Sequence, residues 1–223
     1  MKSVFITRDL SENSVFRQKL EGHGYKVFHS SLLQFTPISF EYNFATDWVF
    51  FYSKNAVKFF FQKTFQENFK KVKFGTIGAG TASYLKDLGF EVHFIGNGHP
   101  KITATSFLAI AENKKVLFPR ASNSKQSIQK FLRGKIKEID LVVYENKPKP
   151  KVKIPETDIV VFTSPMSAEV YFKKTQSTDN QKFVAIGTTT AAAIKTSGIQ
   201  DFVVSKNPSE ADLVKAVLSI TFG

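Results

Sequence analysis

Six polar marks recur along this chain, each just after a short apolar run: Thr7-Arg8, Ser53, Gly78 to Thr81, Arg120, Ser164 and Gly187 to Thr190. A strand-like run that meets serine, threonine or glycine and then a helix-like segment places the polar residue at a helix start. Such a start offers unpaired backbone N–H groups and the positive end of the helix dipole, so the chemistry it suits is anion binding. One exposed contact of this kind is worth only about 0.3 to 1 kcal/mol. Several must act on one polyanion to hold it. Singly, Ser53, Ser164 and Thr190 have a commoner use as helix caps.

Other chemistries fail on specific residues. The chain has no cysteine, which excludes disulfides, thiolate catalysis and thiolate metal sites. His23, His29, His93 and His99 lack the spacings of a metal-binding helix, so no metal is expected. Gly78-Ala79-Gly80-Thr81-Ala82-Ser83 approaches a dinucleotide fingerprint, but Ser83 replaces the third glycine and no acid lies close to 20 residues on. No G-x-x-x-x-G-K-[ST] phosphate loop occurs. The net charge of +12 suits an anionic partner. Because only four of the 31 basic residues are arginine, that charge can equally reflect composition alone. The lysines are scattered without aromatic interleaving, which argues against nucleic acid. No stretch reaches the roughly 18 apolar residues of a membrane span, so a cytoplasmic protein without membrane contact is expected.

The elements that must position the polar marks come in two copies. Asp47 to Ser53 (DWVFFYS) reads like Asp158 to Ser164 (DIVVFTS), and Ile77 to Ala82 (IGAGTA) reads like Ile186 to Ala191 (IGTTTA). Val4 to Arg8 matches Val116 to Arg120 in the same way. Strands are expected at Val4–Thr7, Lys26–Phe28, Trp48–Tyr52, Lys73–Ile77, Glu91–Ile95, Val116–Phe118, Leu141–Tyr144, Ile159–Phe162 and Phe183–Ile186. Helices fall between them, with Phe59-Phe60-Phe61 as helix core, a helix over Thr105–Asn113, and Ile128, Phe131 and Leu132 on one inner face. Leu33 to Pro37 reads as a connector. The alternating lysines and prolines after Tyr144 read as an extended, solvated linker. Asp47 and Asp158 open strands as turn residues, at the ends away from the polar marks.

Apolar strands alternating with helices imply parallel sheets covered on both faces. The fold expected is α/β, with two domains, parallel sheets and an internal pseudo-repeat. Residues 1–35 and 151–223 form one discontinuous domain, 38–143 form the other, and 36–37 and 144–150 link them. In open parallel sheets, ligands bind at the carboxyl ends of the strands, where every one of the polar marks lies.

The order and spacing of Phe5 to Arg8, Trp48 to Val57, Ile77 to Ala82, Leu117 to Arg120, Val142-Val143-Tyr144, Ile159 to Pro165 and Ala185 to Ala191 resemble the uroporphyrinogen-III synthases, over nearly the whole chain. The resemblance implies two flavodoxin-like domains joined by a two-stranded linker, with a cleft for hydroxymethylbilane, and no cofactor. That linear tetrapyrrole bears an acetate and a propionate on each ring. It would lose its terminal hydroxyl, form a spiro intermediate and close with ring D inverted, as a step of haem and porphyrin biosynthesis. Tyr144 corresponds to the family's tyrosine in the V-Y element and is the candidate general acid. Ser53, Thr81, Ser164, Thr189 and Thr190 match substrate-binding positions. Arg8 and Arg120 match basic positions, with ion pairing as the alternative role. Tyr52, Asp9 and Thr188 depart from the family pattern, which usually has threonine, proline and proline there. A monomer is expected, with at most transient contact with hydroxymethylbilane synthase. The competing reading is a two-domain cleft protein that binds a small polyanion without chemistry.

Overall fold

Each apolar run forms a strand, and every polar mark but one opens a helix or turn, as seen in a computed structural model that describes residues 1–43, 45–64, 69, 71–175 and 180–221. The exception is Arg120, which lies inside a strand and pairs with Val142. From the N-terminus come β1 (Ser3–Ile6), α1 (Val15–Gly22), β2 (Lys26–His29) and β3 (Leu33–Pro37). The middle of the chain supplies β4 (Trp48–Phe51), α2 (Lys54–Phe61), β5 (Lys73–Thr76), α3 (Ala79–Asp87), β6 (Phe94–Ile95), α4 (Pro100–Ala111), β7 (Lys115–Ala121), α5 (Ser127–Leu132) and β8 (Lys137–Pro148). Then follow β9 (Ile159–Phe162), α6 (Pro165–Lys174), β10 (Lys182–Ala185), α7 (Thr188–Thr196), β11 (Val203–Val204) and α8 (Glu210–Leu218).

The chain divides into an outer unit, Met1–Gln34 with Lys147–Gly223, and an inner unit, Phe35–Asn146. The outer sheet runs β11-β10-β9-β1-β2 with parallel pairings. Counted within the unit, that is the order 2-1-3-4-5 of flavodoxin-like folds. The inner sheet runs β3-β8-β7-β4-β5-β6, and its β4 to β8 pairings are parallel. It gives the same order when counting starts at β7, with β3 added at the edge. The inner unit is thus a circular permutant of the outer one.

Strand packing follows from the two-period of the pleat. In β4, Val49 and Phe51 face one core with Phe60, Phe74 and Leu85, while Trp48 and Phe50 face another with Phe107 and Phe118. In the outer unit Val4 and Ile6 pack with Phe16, Leu20, Leu213 and Val217. Asp47 and Asp158 tie strand starts together: Asp47 Oδ2 accepts from the Lys115 N–H at 2.8 Å, and Asp158 Oδ2 accepts from the Ser3 N–H at 2.6 Å and its hydroxyl at 2.7 Å. Ser3 and Lys115 begin matching strands, so the brace is itself repeated.

Several element expectations are corrected. Leu33–Pro37 is a strand, β3, and β8 runs on through Pro148 instead of giving way to a linker at Tyr144. The Ile38 N–H donates to Val143 O and the Lys149 N–H to Leu32 O, an antiparallel pattern that uses backbone groups the prolines leave available. α4 begins at Pro100, where proline suits a first helical turn. β6 is only Phe94–Ile95. Phe131 is 46% exposed and not on an inner face.

Candidate active site

In the inner unit, Ser53 is the N-cap of α2, and its hydroxyl accepts from the Ala56 N–H at 3.2 Å. The same oxygen lies 3.3 Å from the hydroxyl of Tyr144, near the end of β8. The tyrosine ring is 7% exposed and stacks on Phe59, with centroids 5.1 Å apart and planes 20° off parallel. Burial pushes the Tyr144 hydroxyl above its ordinary value of 10.0, against a smaller opposing effect of Ser53. The hydroxyl therefore keeps its proton at neutral pH, and the stacked ring fixes where it points.

Beside Ser53, Tyr52 opens a second polar chain. Its hydroxyl accepts from the Gln129 N–H and donates to Gln129 Oε1, both at 3.1 Å. The fully buried Gln129 amide then donates to Glu138 at 2.8 Å and Asp140 at 2.9 Å. Asp140 also receives both prongs of Arg120, each at 2.6 Å, and the third guanidinium nitrogen donates to the carbonyls of Ala121 and Ser122. Burial works to raise the Asp140 pKa, but the bonds from Arg120, Gln129 and Gln126 outweigh it and hold the carboxyl below its ordinary range. Arg120 has little left to give a ligand. Arg8 differs: among the described residues only its Nη2 is engaged, by Glu210 at 2.7 Å. That carboxylate also accepts from the Ser14 hydroxyl and the Phe16 N–H.

α3 and α7, at matching places in the two units, open without side-chain caps. Their N-caps are Gly78 and Gly187, which have no side chain to offer. The third residue of each helix is a buried threonine: Thr81 is 8% exposed and Thr190 1%. The Thr190 hydroxyl is buried with no hydrogen-bond partner among the described residues. A lone buried hydroxyl is normally avoided, because it loses its hydration for nothing. Thr189, by contrast, is exposed. Ser164 sits in a reciprocal capping box: its hydroxyl accepts from the Ser167 N–H, and the Ser167 hydroxyl accepts from the Ser164 N–H, each at 3.1 Å. Thr7, 3.1 Å from Ser167 Oγ, extends this cluster. Sequence reasoning missed Ser167 and Gln129. The S-x-x-S spacing after a strand was a usable signal for the first.

The geometry brings Ser53 and Tyr144 together across 91 positions of sequence. It places Thr81, Ser164, Thr189 and Thr190 at helix starts, and puts Arg8 and Arg120 in ion pairs.

Two flavodoxin-like units, each with a helix that opens uncapped behind its strand and buries a threonine in its first turn, define a class of two-unit α/β proteins. A family model described as uroporphyrinogen-III synthase HemD matches residues 14–215. The chain belongs to that family. It is 26% identical to the uroporphyrinogen-III synthase of Chlorobaculum parvum over 250 residues, covering 97% of this chain and 98% of that one. Among solved structures, the uroporphyrinogen-III synthetase of Helicobacter pylori 26695 superposes with a TM-score of 0.75 at 24% identity, covering 99% and 100% of the two chains. A triple mutant of the synthase of Thermus thermophilus gives 0.60 at 15%, with the same coverage. Both share the two-sheet α/β architecture.

Proposed function

We propose that this chain performs the family's reaction, cyclising hydroxymethylbilane to uroporphyrinogen III with inversion of ring D, and that Tyr144 is the acid that starts it. The enzyme is a cyclising lyase of haem and porphyrin biosynthesis. The observation that carries the role of Tyr144 is its buried, ring-stacked hydroxyl 3.3 Å from Ser53. The pyrrole nitrogen's lone pair expels the terminal hydroxyl of the bilane, which takes the tyrosine proton and leaves as water. Ser53 donates to the phenolate left behind. Attack by the substituted carbon of ring D on the azafulvene gives the spiro intermediate.

Positioning matters more than acidity here, since the substrate closes unaided when nothing holds it, but without inversion. The gain comes from fixing which carbon meets the electrophile. A phenol held above its ordinary pKa is a weak acid, so its share is toward the lower end of the roughly 10²- to 10⁴-fold such groups give. Substrate carboxylates are taken at the start of α3, with Thr81, and at the starts of α6 and α7, with Ser164, Thr189 and Thr190. The unpartnered Thr190 hydroxyl supports this, because a carboxylate would supply the acceptor it lacks. Arg8 keeps donors for a carboxylate, whereas Arg120 is a structural fork on Asp140.

The chain is taken to work as a cytoplasmic monomer that receives its bilane through transient contact with hydroxymethylbilane synthase. No described helix is long and apolar enough to cross a membrane. The test is turnover of freshly made hydroxymethylbilane, with the oxidised isomers separated by chromatography. Predominant uroporphyrin III is expected; only type I, formed at the uncatalysed rate, would sink the reading in favour of a polyanion binder without chemistry.

A further inference from the structure

Lys54 is the first residue of α2, directly after the capping Ser53. This is an electrostatically poor place for a cation, because a helix start already carries partial positive charge and favours aspartate or glutamate. No acidic residue stands in the first turn of either α2 or α3 to offset it. Among the described residues Lys54 makes no ion pair. Its Cε lies 3.9 Å from the point where a side chain on Gly80 would begin. The ammonium, one bond further, therefore stands by the first turn of α3. Gly80 is exposed, and the N-cap Gly78 offers no side-chain cap to the free N–H groups. Thr81 follows, 8% exposed, its hydroxyl without a hydrogen bond among the described residues. A cation, two helix starts and a spare hydroxyl are gathered where these elements supply no negative charge.

We infer that Lys54 is a substrate-binding residue, whose ammonium pairs with a bilane carboxylate received at the start of α3, beside Ser53 and Tyr144. The inference deepens the proposed function and rests on it. A lysine placed here opposes folding and favours only the state that holds an anion, so stability is traded for binding. That trade separates it from an ordinary surface lysine, which would show no gain in affinity to match its cost.

The test compares Lys54→Gln, Lys54→Glu and Lys54→Arg with the wild type and with Lys86→Gln. Lys86 lies in the last turn of α3, so its loss changes net charge equally at the far end of that helix. Four quantities are read: KM, kcat, melting temperature, and the dissociation constant of uroporphyrin III, the stable oxidised product that retains the carboxylates, by fluorescence titration. In Lys54→Gln, KM and the porphyrin dissociation constant rise about fivefold, the scale of one partly exposed charge pair. Lys54→Glu raises them further, Lys54→Arg restores them, kcat holds, and the melting temperature of the Gln and Glu variants rises. Unchanged KM and porphyrin affinity in Lys54→Gln would overturn the inference, as would an equal shift in Lys86→Gln. A wild type that makes no type III isomer, yet binds porphyrin in a Lys54-dependent way, would fail the enzyme reading and leave the binding role standing.

Discussion

Replacing Tyr144 by phenylalanine removes one oxygen and leaves the ring. The lost contact to Ser53 is long, at 3.3 Å, and the hydroxyl makes no other hydrogen bond among the described residues. A net hydrogen bond is worth about 0.5 to 1.5 kcal/mol at good geometry, so about 0.5 kcal/mol fits this one. The stack on Phe59 is retained. For a chain of this size the melting temperature should fall by only about 1 to 2 °C. An acid worth about 10²-fold corresponds to about 2.7 kcal/mol of transition-state stabilisation, several times the stability loss. The expected result is therefore a kcat near one hundredth of wild type, with KM and melting temperature close to wild type, and type I isomer rising as unaided closure competes. The assay is single-batch turnover with isomer separation, beside thermal melts of the same preparations. A Tyr144→Phe enzyme with undiminished kcat and pure type III product would refute the acid role. Loss of activity together with a collapse in melting temperature would show that the hydroxyl serves the fold instead. Ionisation is not a confounder. With its pKa raised, folded Tyr144 keeps its proton longer than the unfolded chain does, so the stability tied to it is intact below pH 10 and declines only above it.

Thr190→Val keeps shape and removes the unpartnered hydroxyl, so stability should stay level or rise by up to about 1 kcal/mol while KM increases a few-fold; a lower melting temperature would mean the hydroxyl is already satisfied. Gly96→Ala would set a methyl 2.7 Å from Ile77 O and 2.4 Å from Thr103 Cγ2, and since a backbone oxygen cannot swing aside, it should cost about 1 to 3 kcal/mol in denaturant titration. Burial works to raise the pKa of Glu210, but the Phe16 N–H, the Ser14 hydroxyl and Arg8 hold it below its ordinary 4.5. With Asp140 and Asp158 also depressed, the folded state binds fewer protons than the unfolded one, so stability is full above about pH 5 and drains as pH falls through the carboxylate range. Glu210→Gln should cost about 1 to 2 kcal/mol at pH 7 and flatten that acid limb; an unchanged acid slope would assign it elsewhere.

The parallel sheets were legible because unbroken apolar runs such as Trp48–Phe51 and Ile159–Phe162 stop at a serine that caps the next helix. The capping roles of Ser53 and Ser164 follow from local spacing alone. What could not be read depends on pairing between distant segments. Asp140 meets Arg120 only because β7 and β8 lie in parallel register, and nothing at either position announces the other. Gln129 looks like any polar helix residue until Tyr52 is placed against it. The prolines after Tyr144 argued for a linker, yet the backbone groups that β3 needs are those proline does not remove. The open hydroxyl of Thr190 is a property of its surroundings, and no motif encodes it.

The permuted strand order also sets a timetable for synthesis. The inner unit is one continuous stretch, complete in strands soon after residue 146 leaves the ribosome. At that moment the outer unit has only β1 and β2, and β1 lacks its second neighbour until Ile159 to Val161 arrive to pair with Val4 to Ile6. Closing so long a loop is entropically slow, and it begins only after the intervening unit can have folded. The outer unit, joined from opposite ends of the chain, is therefore the one completed last during synthesis. Until it closes, the apolar faces of β1 and α1 are the surfaces that a nascent chain must keep from aggregating.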